Sequence, residues 1–156
     1  MSDLSGHKVE LRHGATAWEP CHISSEKIGK GTNIGALSHI GRDVEIGVNC
    51  RIQGTVYIAD GCKISDNVFI GPGAVLTNDR HPPSQGRWTP VVVEDDAVIG
   101  ANATIVAGVR LHTGCVIAAG SVVTTDIPSQ QVWAGNPAKF LMTREDYEKR
   151  RDENEL

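Results

Sequence analysis

The sequence predicts an all-β fold: a parallel β-helix of about five coils with one protruding loop and a short C-terminal helix. Three observations carry that prediction. Aliphatic residues recur every six positions from Ile28 to Leu76 and again from Val93 to Val123. The position four places after each of them is small or β-branched, as at Thr32, Ser38, Val44, Cys50, Ala97 and Ala103. Between the two runs stands one interruption, TNDRHPPSQGRWTPV, at residues 77–91.

The first run is Ile28, Ile34, Ile40, Ile46, Ile52, Ile58, Ile64, Ile70 and Leu76; the second is Val93, Ile99, Ile105, Leu111, Ile117 and Val123. A six-residue period fits neither an amphipathic helix at 3.6 nor a hairpin meander. It fits a solenoid in which short strands alternate with tight turns and stack coil on coil. The branched residue points inward and the small one shares the narrow interior. The glycine that follows the aliphatic residue at 29, 35, 41, 47, 71 and 100 supplies turn conformations closed to other residues. Three hexads close one triangular coil.

Residues 1–22 lie outside the register and cap the first coil, which would otherwise expose a stackable edge. Residues 23–135 form the solenoid, with the loop at 79–92. Residues 136–156 supply a C-terminal strand and helix and a charged tail. Thr143-Arg144-Glu145-Asp146 reads as a capping-box start. The charged DYEKRRDENEL after it is helix-prone and fades into a disordered tail.

Composition narrows the function classes. The net charge is −4, from 15 basic and 19 acidic residues, which gives no electrostatic case for nucleic acid or an anionic membrane as partner. No apolar run reaches the roughly 18 residues a membrane span needs, so the default location is the cytoplasm. Aromatics are only 4%, which points to stability from stacking and association rather than a bulky core. Cys50, Cys62 and Cys115 occupy the small interior slot and read as packing residues, not ligands or nucleophiles.

The interruption is where chemistry concentrates. Val93 lies 17 residues beyond Leu76, so about a dozen residues leave the prism at one corner. Solenoids place insertions on a binding face, and Pro82, Pro83 and Pro90 stiffen this one. An arm that locks an oligomer is the bland reading of the same segment. A histidine titrating near neutrality, such as His81, suits removal of a proton from a hydroxyl. Arg80 and Arg87 suit a diphosphate or sugar carboxylate, and Trp88 a ring. Together with Asp79 they are the expected substrate-binding residues. His39 and His112 read as exposed turn or interface residues.

The motif [LIV]-G-x-x-[small]-x resembles the hexapeptide-repeat acyltransferase superfamily over most of the chain. That resemblance implies a left-handed helix, a homotrimer with sites between subunits, and acetyl-CoA as co-substrate. Ile70-Gly71-Pro72 followed by His81-Pro82 is similar to galactoside and maltose acetyltransferases, in which that histidine is catalytic. IGPGAVLTNDRHP also resembles the branch that N-acetylates nucleotide-linked amino sugars, such as 3-amino hexuronates. There an asparagine, matched by Asn78, contacts the amine, and an aromatic residue often replaces His81. VWAGNPAKFL resembles the terminal signature of the superfamily, whose last coils hold coenzyme A. Carried over by position, its contacts are Ala101, Ala119, Gly120, Ser121, Thr124, Thr125 and Lys139, with Arg144 as a further phosphate ligand.

Two enzyme readings therefore stand side by side. One is N-acetylation of a nucleotide-linked amino sugar for surface polysaccharide, oriented by Asn78. The other is O-acetylation of a sugar or small alcohol, with His81 as base. Two more distant readings are a metalloprotein like γ-carbonic anhydrase and an inactive scaffold. The first of these needs three converging histidines, and no pair five residues apart provides that pattern.

Overall fold

The computed structural model describes residues 6–153 of the chain. It is a three-faced solenoid of two-residue strands joined by tight turns. The first face carries seven parallel rungs: Thr16–Trp18, Asn33–Ile34, Arg51–Ile52, Phe69–Ile70, Val98–Ile99, Val116–Ile117 and Gln131–Gly135. The second carries His22–Ile23, His39–Ile40, Tyr57–Ile58, Val75–Leu76, Thr104–Ile105 and Val122–Val123. The third carries Glu45–Ile46, Lys63–Ile64, Val92–Val93 and Arg110–Leu111, extended at its ends by bridges from Ile28 and Ile127.

This makes about seven coils, two more than the hexads predict. The extra coils sit at the ends, where spacing is irregular but the inward residue is kept. Ala17 pairs with Ile34 in the first coil, and Ile127 with Leu111 and Trp133 with Ile117 in the last, each off the six-residue spacing. Burial needs one inward side chain per face, and six-residue spacing is only the commonest way to provide it. The solenoid therefore begins within the segment expected to be a cap. Lys8–Glu10 pairs antiparallel to Thr16–Trp18 at that end, and Ala138–Thr143 pairs antiparallel to Gln131–Gly135 at the other.

All fifteen register aliphatics are at most 4% exposed, and each stacks on its equivalent one coil away. At about 1.5–3 kcal/mol for each fully buried aliphatic side chain, this column is the main source of cohesion. The small slot is equally buried, from Thr32 through Ser121. Burial pushes the Cys50 thiol up, Cys62 to about 11 and Cys115 to about 12, so these thiols stay protonated and inert.

The glycine after the aliphatic residue has a different cause from the one expected. At Gly71 a Cβ would stand 2.6 Å from the Ala101 nitrogen, so the next coil's backbone excludes it. The left-handed conformation belongs instead to the residue two places further on. Asp43, Asn49, Asn67, Asp96 and Asn102 adopt it there, as do Gly73 and Gly120.

The helix Arg144–Asp152 starts as predicted, with the Thr143 hydroxyl accepting from the Asp146 N–H. The expected disordered tail lies mostly outside the described residues. No helix among those residues is long and apolar enough to cross a membrane.

Candidate active site

The loop leaves the prism between the second and third faces, after Val75–Leu76, and returns at Val92–Val93. Two bonds made by Asn78 close its neck. Its side-chain Nδ2 donates to the Asp60 carbonyl one coil away at 3.1 Å, and its own carbonyl accepts the Thr89 N–H at 2.7 Å. The return limb is wedged between neighbouring turns. A Cβ on Gly61 would meet Pro90 Cγ at 2.9 Å, and one on Gly108 would meet Thr89 Cγ2 at 3.2 Å.

Inside the neck, the Asp79 carboxylate accepts the His81 N–H at 3.1 Å and the Ser84 N–H at 2.9 Å. The Ser84 bond is the main reason this carboxyl stays below its ordinary pKa. Ser84 is buried, and its carbonyl accepts from Arg87 Nε at 3.0 Å. The Arg80 guanidinium donates to the Ala107 carbonyl at 2.9 Å and the Thr124 carbonyl at 3.2 Å, pinning the loop to the two following coils. These bonds turn TNDRHPPS into a fixed bracket. The His81 ring is exposed and is engaged by no side chain among the described residues.

Asp79 and Arg80, expected to meet substrate, are thus bonded within the loop and to the neighbouring coils. Trp88 is 46% exposed and lines a cleft of about 430 Å³ with Arg42, Asp43, Asp60, Gly61, Gly86 and Pro90.

The expected coenzyme residues fall on two corners that flank the second face. Ala101, Ala119, Gly120 and Ser121 lie at the corner between the first and second faces; Thr124 and Thr125 lie at the next, where Arg80 anchors the loop. The Ser121 hydroxyl is buried and accepts the Gly135 N–H at 3.2 Å, a structural bond. Pairing of Ala134 with Lys139 brings that lysine to the same end of the corner. Arg144 is not brought there. Its guanidinium binds Glu148 and the carbonyls of Asp96 and Gly114, which lie at the third corner.

The three corners differ in one respect. At the third corner the outward N–H groups of Val48 and Asp66 are capped by the carboxylates of Asp66 and Asp95, at 2.8 and 2.9 Å. At the second, Asp60 caps the Arg42 N–H at 2.9 Å. At the first, the equivalent slot holds Ala36, Gly54, Pro72, Ala101 and Ala119, none of which offers a side-chain acceptor. A Cβ on Gly120 would meet nothing within 4 Å. This corner presents bare backbone, suited to an extended amide-bearing chain lying along it.

Several clusters escaped sequence reasoning. Arg42 pairs with Asp60 at 2.8 Å, His112 Nδ1 lies 3.1 Å from Glu94 Oε1, and His22, His39 and Tyr57 form a ring stack. Most of these pairs are 18 residues apart, one coil, and that spacing was a readable signal. Among the described residues, no group of three His, Cys, Asp or Glu could hold a metal ion.

The fold has counterparts among known proteins. A family model described as hexapeptide repeat of succinyl-transferase matches residues 27–59, 38–77 and 90–125. The 2,3,4,5-tetrahydropyridine-2,6-dicarboxylate N-acetyltransferase of Clostridium perfringens is 46% identical over 83 residues, 53% of this chain and 33% of that one. The matched stretch thus spans about a third of this curated relative's length. The acetyltransferase domain of PglB from Neisseria gonorrhoeae has the same fold, with a TM-score of 0.73, 22% identity, and coverage of 83% of this chain and 58% of that one. A hexapeptide-repeat acetyltransferase of Vibrio cholerae, solved in complex with acetyl coenzyme A, has a TM-score of 0.58 and 30% identity, covering 76% of this chain and 72% of that one.

Proposed function

Because this chain belongs to the hexapeptide-repeat acyltransferase family, we propose that it moves an acetyl group from acetyl-CoA to the amine of a nucleotide-linked amino sugar. We read it as a cytoplasmic enzyme of surface-polysaccharide synthesis that works as a homotrimer with active sites between subunits. The observation that carries the reading is the pinned amide of Asn78. Donation to the Asp60 carbonyl fixes this side chain and leaves its Oδ1 as an acceptor for an incoming amine.

An amine needs orientation more than activation, since its neutral form already carries the attacking lone pair. Nitrogen attacks the thioester carbonyl carbon, the C=O electrons move onto oxygen, and collapse expels the coenzyme A thiolate. The proton lost by nitrogen balances the thiolate as free thiol, carried by solvent or by the exposed His81 ring. The bare corner at Ala101 and Ala119 offers peptide N–H groups to the pantetheine carbonyls. Lys139 meets phosphate. The acetyl-CoA complex of the Vibrio cholerae relative supports acetyl-CoA as the donor.

A second reading, O-acetylation, rests on the exposed, unengaged His81 ring. There the histidine removes the hydroxyl proton as oxygen attacks.

The deciding experiment follows coenzyme A release from acetyl-CoA across UDP- and dTDP-linked 3-amino and 4-amino sugars, galactosides and maltose, with wild type beside His81→Ala. Turnover of a nucleotide amino sugar that survives His81→Ala supports the first reading. Turnover only of a hydroxyl, collapsing in the variant, replaces it with the second.

A further inference from the structure

Read from N- to C-terminus, the outward slots of the second face are His22, His39, Tyr57, Val75, Thr104 and Val122. The first three form one continuous stack. Ring centroids are 4.6 Å apart between His22 and His39 and 4.7 Å between His39 and Tyr57, with planes within 12° in both pairs. His22 Nε2 is held by Ser24 Oγ at 2.7 Å. The spacing matches the distance between adjacent strands of about 4.7–4.9 Å, so successive rings lie one rung apart along the solenoid.

The stack stops at Tyr57. His39 covers one side of its ring. The other side faces the rung of Val75, whose short branched side chain cannot continue the series. Tyr57 is 45% exposed, and among the described residues no ring follows it, which leaves a gap in the stack one rung deep. That gap lies in the coil from which the loop departs, and Asn78 is three residues beyond Val75. One and two rungs further on, Thr104 and Val122 run between the bare corner of Ala101, Ala119 and Gly120 and the loop anchor at Thr124.

We propose that the gap over Val75 is the sugar subsite of the acceptor, in which the pyranose ring extends the stack by laying its C–H face on Tyr57. The inference rests on the amino-sugar reading above and adds the surface that holds the ring. A pyranose suits it because one face of such a ring is apolar while its hydroxyls and amine project from the edge. Seated there, the amine edge lies at Asn78 and points down the face toward the coenzyme corner. His39 is a positioning residue. By stacking on Tyr57 it fixes the phenol ring before the sugar arrives, which lowers the ordering cost of binding.

The test is steady-state kinetics on Tyr57→Ala, Tyr57→Phe and Tyr57→Leu, with the best nucleotide amino sugar from the acceptor panel. Removing the ring raises the acceptor KM about fivefold to tenfold, the range of an aromatic stacking contact. The KM for acetyl-CoA stays unchanged. Tyr57→Phe keeps wild-type values, and Tyr57→Leu, which retains apolar bulk without the ring, behaves like Tyr57→Ala. Saturation transfer from the aromatic protons to the sugar C–H protons gives a readout independent of turnover and of variant stability. An unchanged acceptor KM in Tyr57→Ala and Tyr57→Leu, with wild type active on the sugar, overturns the subsite and leaves the function standing. Wild-type inactivity on every nucleotide amino sugar, alongside turnover of another acceptor, overturns both.

Discussion

Arg80 and Thr124 are 44 residues apart in sequence, yet the guanidinium of one donates to the carbonyl of the other at 3.2 Å while also holding Ala107 at 2.9 Å. One side chain therefore sets the loop's position against the last coils. Arg80→Ala is expected to lower kcat by about 10-fold to 100-fold, the usual cost of misplacing a catalytic group. Stability should fall by only about 1–3 kcal/mol. Arg80→Lys should not restore activity, because a single ammonium cannot reproduce the forked donor pair. A wild-type kcat in Arg80→Ala would remove the arginine from any role in positioning.

Asp79 predicts a pH dependence. Its carboxyl is held below the ordinary value chiefly by the Ser84 N–H, so its folded pKa is depressed. For a depressed acid, the stabilisation is present above the unfolded pKa, about 3.9, and is lost as pH falls through the lower folded value. The amide resonances of Ser84 and His81 should titrate together in that acidic range and be flat at neutral pH. In Asp79→Asn the step should vanish. A titration midpoint above 4 in the wild type contradicts the assignment.

Two glycines separate contact from conformation. Gly71→Ala drives a Cβ to 2.6 Å from the Ala101 nitrogen, and backbone cannot yield as a side chain can. A loss of about 2–4 kcal/mol is expected by denaturant unfolding. Gly120→Ala meets nothing within 4 Å but sits at φ +70, so it should cost only about 1 kcal/mol. Its larger effect should be a raised KM for acetyl-CoA. Equal stability losses in the two variants would show that close approach between coils is not the constraint.

Thiol labelling checks the interior. Cys50, Cys62 and Cys115 are buried, with Cys62 near 11 and Cys115 near 12, while Cys21 is half-buried. An aromatic disulfide reagent at pH 8 should modify one thiol per native chain, slowly, because burial raises Cys21 as well. All four should react in denaturant. Fast labelling of a second thiol in native protein contradicts the assignment of the small slot.

The coil was legible because one rule acts at every rung. A narrow interior admits one branched and one small residue per face, and both leave their mark at a fixed period. The end coils were not legible, since Ala17, Ile23, Ile127 and Trp133 pair with the inward column without keeping its spacing. The loop was readable as a break, but its internal use was hidden. The bonds of Asp79 and Arg80 were hidden because their partners are backbone groups of Ser84, Ala107 and Thr124, which carry no sequence signature. Pairs such as Arg42 with Asp60 and His39 with Tyr57 were readable in principle, each being separated by 18 residues. The partners of Arg144 were hidden for a related reason. A basic residue just after a coenzyme-type motif suggests phosphate, whereas here it satisfies carbonyls at the third corner.

The stacked coils also act as a ruler. Each turn advances by one strand spacing of about 4.8 Å, and the backbone bonds between rungs leave no intermediate setting. Distances along the second face from Val75 to Thr104 and Val122 therefore come in whole steps of roughly 5 and 10 Å. Productive chemistry tolerates errors of about half an ångström, so inserting or deleting a coil between the loop and the C-terminal corner should abolish transfer outright. The same change upstream of Tyr57, where only stacking is at stake, should alter the length of the protein and leave its reach intact.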